Sequence, residues 1–147
     1  MAHNIYIADD HSAVRRLLAS LLARQPDFVV AGSAIDGLDA VSEVLRLRPD
    51  VVVMDISMPR MNGIDATREL CAHWPEAKVI ILSMHATADY VRHAMEAGAR
   101  GYVIKDSAAQ EIIDAVRAVI AGRRYLSQRI AELAPDSPLP GDPRRIG

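Results

Sequence analysis

The chain has 147 residues, a hydrophobic fraction of 50% and a formal net charge of −2. That is enough apolar mass for one domain with a proper core, and the charge balance excludes the strongly basic surface of a nucleic-acid-binding protein. The lone cysteine, Cys71, excludes an internal disulfide, and no apolar run approaches the ~18 residues of a membrane span.

The first apolar run, Ile5-Tyr6-Ile7-Ala8, reads as a strand that ends at Asp9 and Asp10. It begins within a few residues of Met1, so no signal peptide is expected and the expected location is cytoplasmic, away from membranes. A helix is predicted over 12–24, with Val14, Leu17, Leu18, Leu21 and Leu22 sharing one face. Ser12 or Asp10 is placed to cap it, and Pro26 stops it. A second strand over 28–33 leads to a helix over 37–48, with Leu38, Val41, Val44 and Leu45 inward and Pro49 at its end.

The third strand, over 51–55, is apolar until it closes on Asp55. A strand buried between two helical layers needs that composition, whereas a half-exposed strand would alternate. A helix over 64–74 ends before Pro75, with Cys71 as one of its small apolar residues. The fourth strand, 78–83, closes on Ser83. The helix over 88–97 has a thin apolar face of Val91, Ala94 and Met95, and Gly98 is its expected C-terminal cap. The fifth strand, 101–105, closes on Lys105. The last helix, 108–121, buries Ile112, Ile113, Val116, Val119 and Ile120, with Ser107 and Gly122 at its ends. Residues 134–147 hold four of the eight prolines and read as an extended linker.

Strands alternating with helices predict an α/β fold with right-handed crossovers. The expected form is a doubly wound, five-stranded parallel sheet of flavodoxin-like order 2-1-3-4-5. Side chains at the carboxyl ends of its strands converge on one rim, so Asp9, Asp10, Asp55, Ser83 and Lys105 would share a site. Two like charges about 4 Å apart cost on the order of 4 kcal/mol at an effective dielectric of 20. Three carboxylates therefore shift their pKa values or recruit a cation, and an open all-oxygen site suits Mg²⁺. Taken alone, either Asp9 or Asp10 reads as a helix cap, Ser83 as a strand-end serine and Lys105 as a surface lysine. Together they suit phosphoryl transfer, with Asp55 as an aspartyl nucleophile.

The stretch Asp55-Ile56-Ser57-Met58-Pro59-Arg60-Met61-Asn62-Gly63 resembles the phosphoacceptor loop of bacterial two-component response-regulator receiver domains, which share the CheY-like fold. So do Asp9-Asp10, Ser83 and Gly101-Tyr102-Val103-Ile104-Lys105. The resemblance spans 4–122. Ala8-Asp9-Asp10-His11, Lys105-Asp106-Ser107 and Gly122-Arg123-Arg124-Tyr125-Leu126-Ser127 are similar to the NarL/FixJ subfamily, which carries a LuxR-type helix-turn-helix domain.

The resemblance implies that Asp55 accepts a phosphoryl group from a sensor histidine kinase. Asp9, Asp10, Asp55 and the backbone carbonyl of Ser57 would serve Mg²⁺ or Mn²⁺, with Asp10 favoured as a direct ligand. Ser83 and Lys105 would contact the phosphoryl group. Tyr102 would be the switch aromatic, and otherwise reads as a packed strand tyrosine. His85 would tune access of the hydrolytic water, and otherwise reads as an exposed loop residue. The remaining histidines, His3, His11, His73 and His93, lack metal-ligand spacing.

Residues 1–124 are expected to form the receiver, and 125–147 an extension toward a DNA-binding domain that this chain lacks. The implied role is transcription regulation with homodimerisation on phosphorylation, and no catalysis beyond the domain's own phosphorylation and dephosphorylation. Three rival readings fit the sequence less well. A stand-alone signalling receiver sits poorly with the proline-rich tail. A haloacid-dehalogenase-like phosphatase resembles Asp-x-Asp, whereas Ser57 stands at the second position. A flavodoxin-like FMN carrier would bring its phosphate against Asp9 and Asp10.

Overall fold

A computed structural model describes residues 2–133; the proline-rich stretch 134–147 lies outside the described residues. The elements follow in the order β1 (His3–Ala8), α1 (Ser12–Ala23), β2 (Phe28–Ala34), α2 (Gly37–Leu47), β3 (Val51–Asp55), α3 (Gly63–His73), β4 (Val79–Ser83), α4 (Ala88–Ala97), β5 (Gly101–Ile104), α5 (Ala108–Ile120), β6 (Tyr125–Leu126) and α6 (Gln128–Leu133). The sheet order is β2-β1-β3-β4-β5-β6, with every pairing parallel. The expected order of the first five strands holds, and the fold is the CheY-like doubly wound one. The sheet has six strands rather than five, because two residues after α5 return to its edge. Tyr125 N–H donates to Arg100 O at 3.1 Å and Ser127 N–H to Tyr102 O at 2.9 Å, which pins that short strand to β5.

Strand alternation divides the core in two. Ile5, Ile7, Val51, Val53, Ile80, Leu82 and Val103 face α1 and α5, where Leu18, Leu22, Ile112 and Val116 cover them. Tyr6, Val52, Met54, Val79, Ile81 and Tyr102 face α2, α3 and α4, against Ala40, Val44, Ala66, Leu70, Val91 and Ala94. Every residue of β3 and β4 is buried, as the unbroken apolar runs required. The thin face of α4 is fully used, with Val91, Ala94 and Met95 all buried.

Some local expectations are corrected. Leu17 is 49% and Leu38 40% exposed, at the edges of their helical stripes. The N-cap of α1 is His11, not Ser12 or Asp10, and the side chain that meets its N–H is Asp9 Oδ1 at 2.8 Å. Ser107 stands at the start of α5 without capping it; its hydroxyl instead meets Ile104 O at 3.3 Å and Glu111 Oε2 at 2.6 Å. Gly98 caps α4 in the left-handed region at φ 115°, where a side chain is strained. A Cβ at Gly63 would lie 2.0 Å from Asp55 O, so only glycine lets α3 begin this close to the end of β3.

Candidate functional site

The register of the sheet levels the strand ends. Ala8 pairs with Met54, Asp55 with Leu82, and Ser83 with Ile104. Asp9, Asp55, Ser83 and Lys105 therefore emerge side by side. Asp9 is 0% and Asp55 3% exposed, and the Lys105 side chain is 7% exposed. Lys105 Nζ lies 3.1 Å from Asp9 Oδ2 and 3.3 Å from Asp55 Oδ2, bridging two carboxylates that would otherwise repel. It also donates to Asp9 Oδ1 at 3.2 Å. Neither Oδ2 atom is aligned for a hydrogen bond, so both are buried anionic oxygens without a donor. One ammonium does not satisfy such a pair.

Burial raises the Asp55 carboxyl to about 6, and the charge of Asp9 adds to the rise, while Lys105 opposes it. Asp10 is the open carboxylate, with its side chain 36% exposed. Ser57 is exposed, two residues beyond Asp55. The loop that carries it is fixed by Ile56 N–H to Leu82 O at 3.1 Å and Gly63 N–H to Ile56 O at 2.8 Å. Ser83 Oγ, 1% exposed, accepts the N–H of His85 at 2.9 Å. The carbonyl of His85 in turn accepts the hydroxyl of Tyr102 at 2.8 Å.

The response regulator receiver domain model matches residues 5–117. The chain belongs to this family.

The receiver is 40% identical over 126 residues to the transcriptional regulatory protein DegU of Brevibacillus brevis, covering 86% of this chain and 53% of that protein. It is 41% identical over 127 residues to the transcriptional regulatory protein LiaR of Bacillus subtilis, covering 86% of this chain and 60% of that one. The chain thus spans little more than half the length of these curated relatives. Among solved structures, a LuxR-family two-component response regulator from Aurantimonas sp. SI85-9A1 aligns with a TM-score of 0.86 at 37% identity, over 90% of this chain and 94% of that one. The response regulator domain of Thermotoga maritima CheB aligns at 0.77 and 29% identity, over 82% and 98%. The receiver is of the LuxR-family response-regulator type. No helix among its described residues is long and apolar enough to cross a membrane.

The donor set of the receiver suits a divalent cation. Ligand atoms of Asp9, Asp10, His11 and Asp55 lie within 4.8 Å of one another, and the two orphaned carboxylate oxygens give a cation something to satisfy. His11 is the member that sequence reasoning missed. Its Nδ1 lies 3.3 Å from both Asp9 Oδ1 and Asp10 Oδ1. Spacing rules for metal-ligating histidines look for a second histidine or cysteine, and the only signal here was adjacency to the aspartate pair.

Of the other expected residues, Tyr102 is fully buried in the core, and burial pushes its hydroxyl up to about 12. His85 is exposed, yet its ring stacks on Tyr90 of α4 with centroids 4.0 Å apart and planes 3° from parallel. It touches the site through its backbone. A second cluster, unforeseen from sequence, ties the segment that follows α5 back to that helix. Glu111 accepts from Ser107 Oγ at 2.6 Å, Tyr125 Oη at 2.7 Å and Ser127 Oγ at 3.0 Å. Burial opposes ionisation of Glu111, but these hydroxyls outweigh it and hold the carboxyl below the usual range.

Proposed function

We propose that Asp55 accepts a phosphoryl group from the phosphohistidine of a sensor histidine kinase. One Asp55 oxygen attacks phosphorus, the P–N bond breaks with its electron pair leaving on the imidazole, and an aspartyl acyl phosphate remains. The observation that carries this reading is the buried Asp55 carboxylate, whose Oδ2 has no hydrogen-bond donor and faces Lys105 at 3.3 Å. Asp9, Asp10, Asp55 and the Ser57 carbonyl would hold Mg²⁺ or Mn²⁺. When bound, such a cation supplies positive charge for the phosphoryl oxygens.

Lys105 neutralises another phosphoryl oxygen, which draws it from its contacts with Asp9 and His11. The Ser83 hydroxyl accepts from His85 N–H and still has one proton to give a phosphoryl oxygen. Moving Ser83 disturbs His85, and through it both Tyr102 and the Tyr90 stack on α4. The added charge of roughly −1.5 to −2 thus biases the β4–α4 loop between two arrangements.

The output is transcription regulation through a helix-turn-helix domain beyond the receiver, a unit that takes in β6 as well as the expected residues 1–124. Homodimerisation follows phosphorylation, and DNA is bound by that further domain alone. The names and greater lengths of the DegU and LiaR relatives support this. The test is intact mass spectrometry after treatment with acetyl phosphate and Mg²⁺. One phosphoryl adduct is expected, absent from Asp55→Asn; an adduct that survives the substitution overturns the assignment.

A further inference from the structure

Ser127 is fully buried and stands where the chain turns out of the sheet after β6. Its N–H donates to Tyr102 O at 2.9 Å. Its carbonyl accepts Ile130 N–H at 2.9 Å and Ala131 N–H at 3.1 Å, and so starts α6. With that carbonyl committed to the helix, the side chain continues the ladder along β5. Ser127 Oγ accepts the N–H of Ile104 at 2.8 Å and gives its one proton to Glu111 Oε2 at 3.0 Å. Ser107 Oγ, 3.3 Å from Ile104 O, donates to the same Oε2 at 2.6 Å.

Ile104 directly precedes Lys105. A single 3₁₀ turn, Lys105–Ser107, joins β5 to α5, and such turns have poorer hydrogen-bond geometry than an α-helix. At one end of this turn Lys105 Nζ lies 3.3 Å from Asp55 Oδ2 and 2.8 Å from His11 Nδ1. At the other end Ser107 is held by Glu111. The turn therefore links the phosphoacceptor to the residue that starts α6. Packing repeats the connection, because Ile130 of α6 is buried in one cluster with Tyr102, Ile104 and the α4 residues Val91 and Ala94.

We infer that Ser127 and Glu111 form a relay that reports the state of Asp55 to α6. The inference rests on the phosphoacceptor-site reading above and deepens it. Drawing Lys105 toward a phosphoryl group moves the end of β5 and weakens the bond between Ile104 and Ser127. The first residue of α6 loses its anchor and the helix loosens. Coupling between two sites is reciprocal, so freeing Ser127 also favours the occupied state of Asp55.

The test adds beryllofluoride and Mg²⁺, a stable mimic of the phosphoryl group, to the full chain and follows hydrogen–deuterium exchange. Binding should speed exchange at Ile130 and Ala131 about fivefold, the factor that one net hydrogen bond sets. Tyr125→Phe removes a hydroxyl from Glu111 but leaves Ser127 in place, and it should respond as the parent does. Ser127→Ala should begin at the faster rate, respond no further and bind beryllofluoride about fivefold more tightly. If far-UV circular dichroism shows Ser127→Ala unfolded, Glu111→Gln takes its place; its amide cannot accept all three hydroxyls, so its response should be smaller than the parent's. Equal exchange with and without the mimic in the parent, an undiminished response in either relay variant, or a response lost in Tyr125→Phe overturns the relay and leaves the phosphoacceptor site standing. If the mimic fails to bind, or binds Asp55→Asn as well as the parent, the site reading fails and the relay with it.

Discussion

Tyr102 gives its hydroxyl proton to the backbone carbonyl of His85 across 2.8 Å, and the N–H of that same residue is held by Ser83 Oγ at 2.9 Å. A fully buried ring in β5 is thereby wired through one loop residue to a hydroxyl beside Asp55. Removing the phenolic oxygen leaves a carbonyl short of its donor, at a net cost of about 1 kcal/mol. Tyr102→Phe should lower stability by that amount and speed amide exchange in the loop over 84–87. Urea denaturation and hydrogen–deuterium exchange check both. Phosphorylation of Asp55 itself should persist, since the Tyr102 hydroxyl is bonded to the His85 carbonyl and not to the carboxylate.

Asp55 carries a cost that depends on pH. Its carboxyl titrates near 6 in the folded state against an ordinary 3.8. Between those values the folded protein binds more protons than the unfolded chain, so stability falls as pH rises through this window. The whole displacement corresponds to about 3 kcal/mol. Without divalent cations, the chain should be most stable near the acid end of this window and lose stability up to about pH 6. Asp55→Asn should abolish this fall and be the more stable protein at neutral pH. Thermal melts of both proteins across pH in a chelating buffer read the difference.

Lys105 is the only cation that the described residues place between Asp9 and Asp55. Breaking a buried pair by deleting one partner typically costs 3–5 kcal/mol, because the other charges stay buried. Lys105→Met should lose about that much in metal-free buffer. Added Mg²⁺ should restore a larger share of stability to the variant than to the parent. Denaturant titrations with and without the ion provide the comparison.

Glu111 joins three hydroxyls, and the last of them, Ser127 Oγ, also accepts the N–H of Ile104 at 2.8 Å. The strand that delivers Lys105 is therefore fastened to the segment leaving the receiver. Glu111→Gln should cost about 1–2 kcal/mol and raise amide exchange at Ile104 and over 125–127. Because the folded carboxyl lies below its ordinary value, its contribution is complete above that value and fades as pH falls through the depressed one. The parent and the variant should accordingly converge in stability at strongly acid pH.

Much of this fold was legible because strand ends and helix ends carry chemical marks. The unbroken apolar runs Val51–Asp55 and Val79–Ser83 announced strands covered on both faces, and the polar residue closing each run marked the rim. The pair Tyr125–Leu126 was invisible, since two residues show no period and only their bonds to Arg100 and Tyr102 make them a strand. Helical spacing places Leu17 and Leu38 inward because it locates a stripe but not its edges, and both lie at the edge. His11 escaped because its part depends on the turn after β1, which swings the ring back over Lys105. Spacing along the chain cannot report that.

The central claim is that Asp55 is the residue that becomes an acyl phosphate. Borohydride reduces an aspartyl phosphate to homoserine, so the chain can be treated with acetyl phosphate and Mg²⁺, reduced, digested and sequenced by mass spectrometry. Homoserine at position 55, dependent on the divalent cation, is the expected result. Homoserine at Asp9 or Asp10, or none anywhere despite bound Mg²⁺, would contradict it.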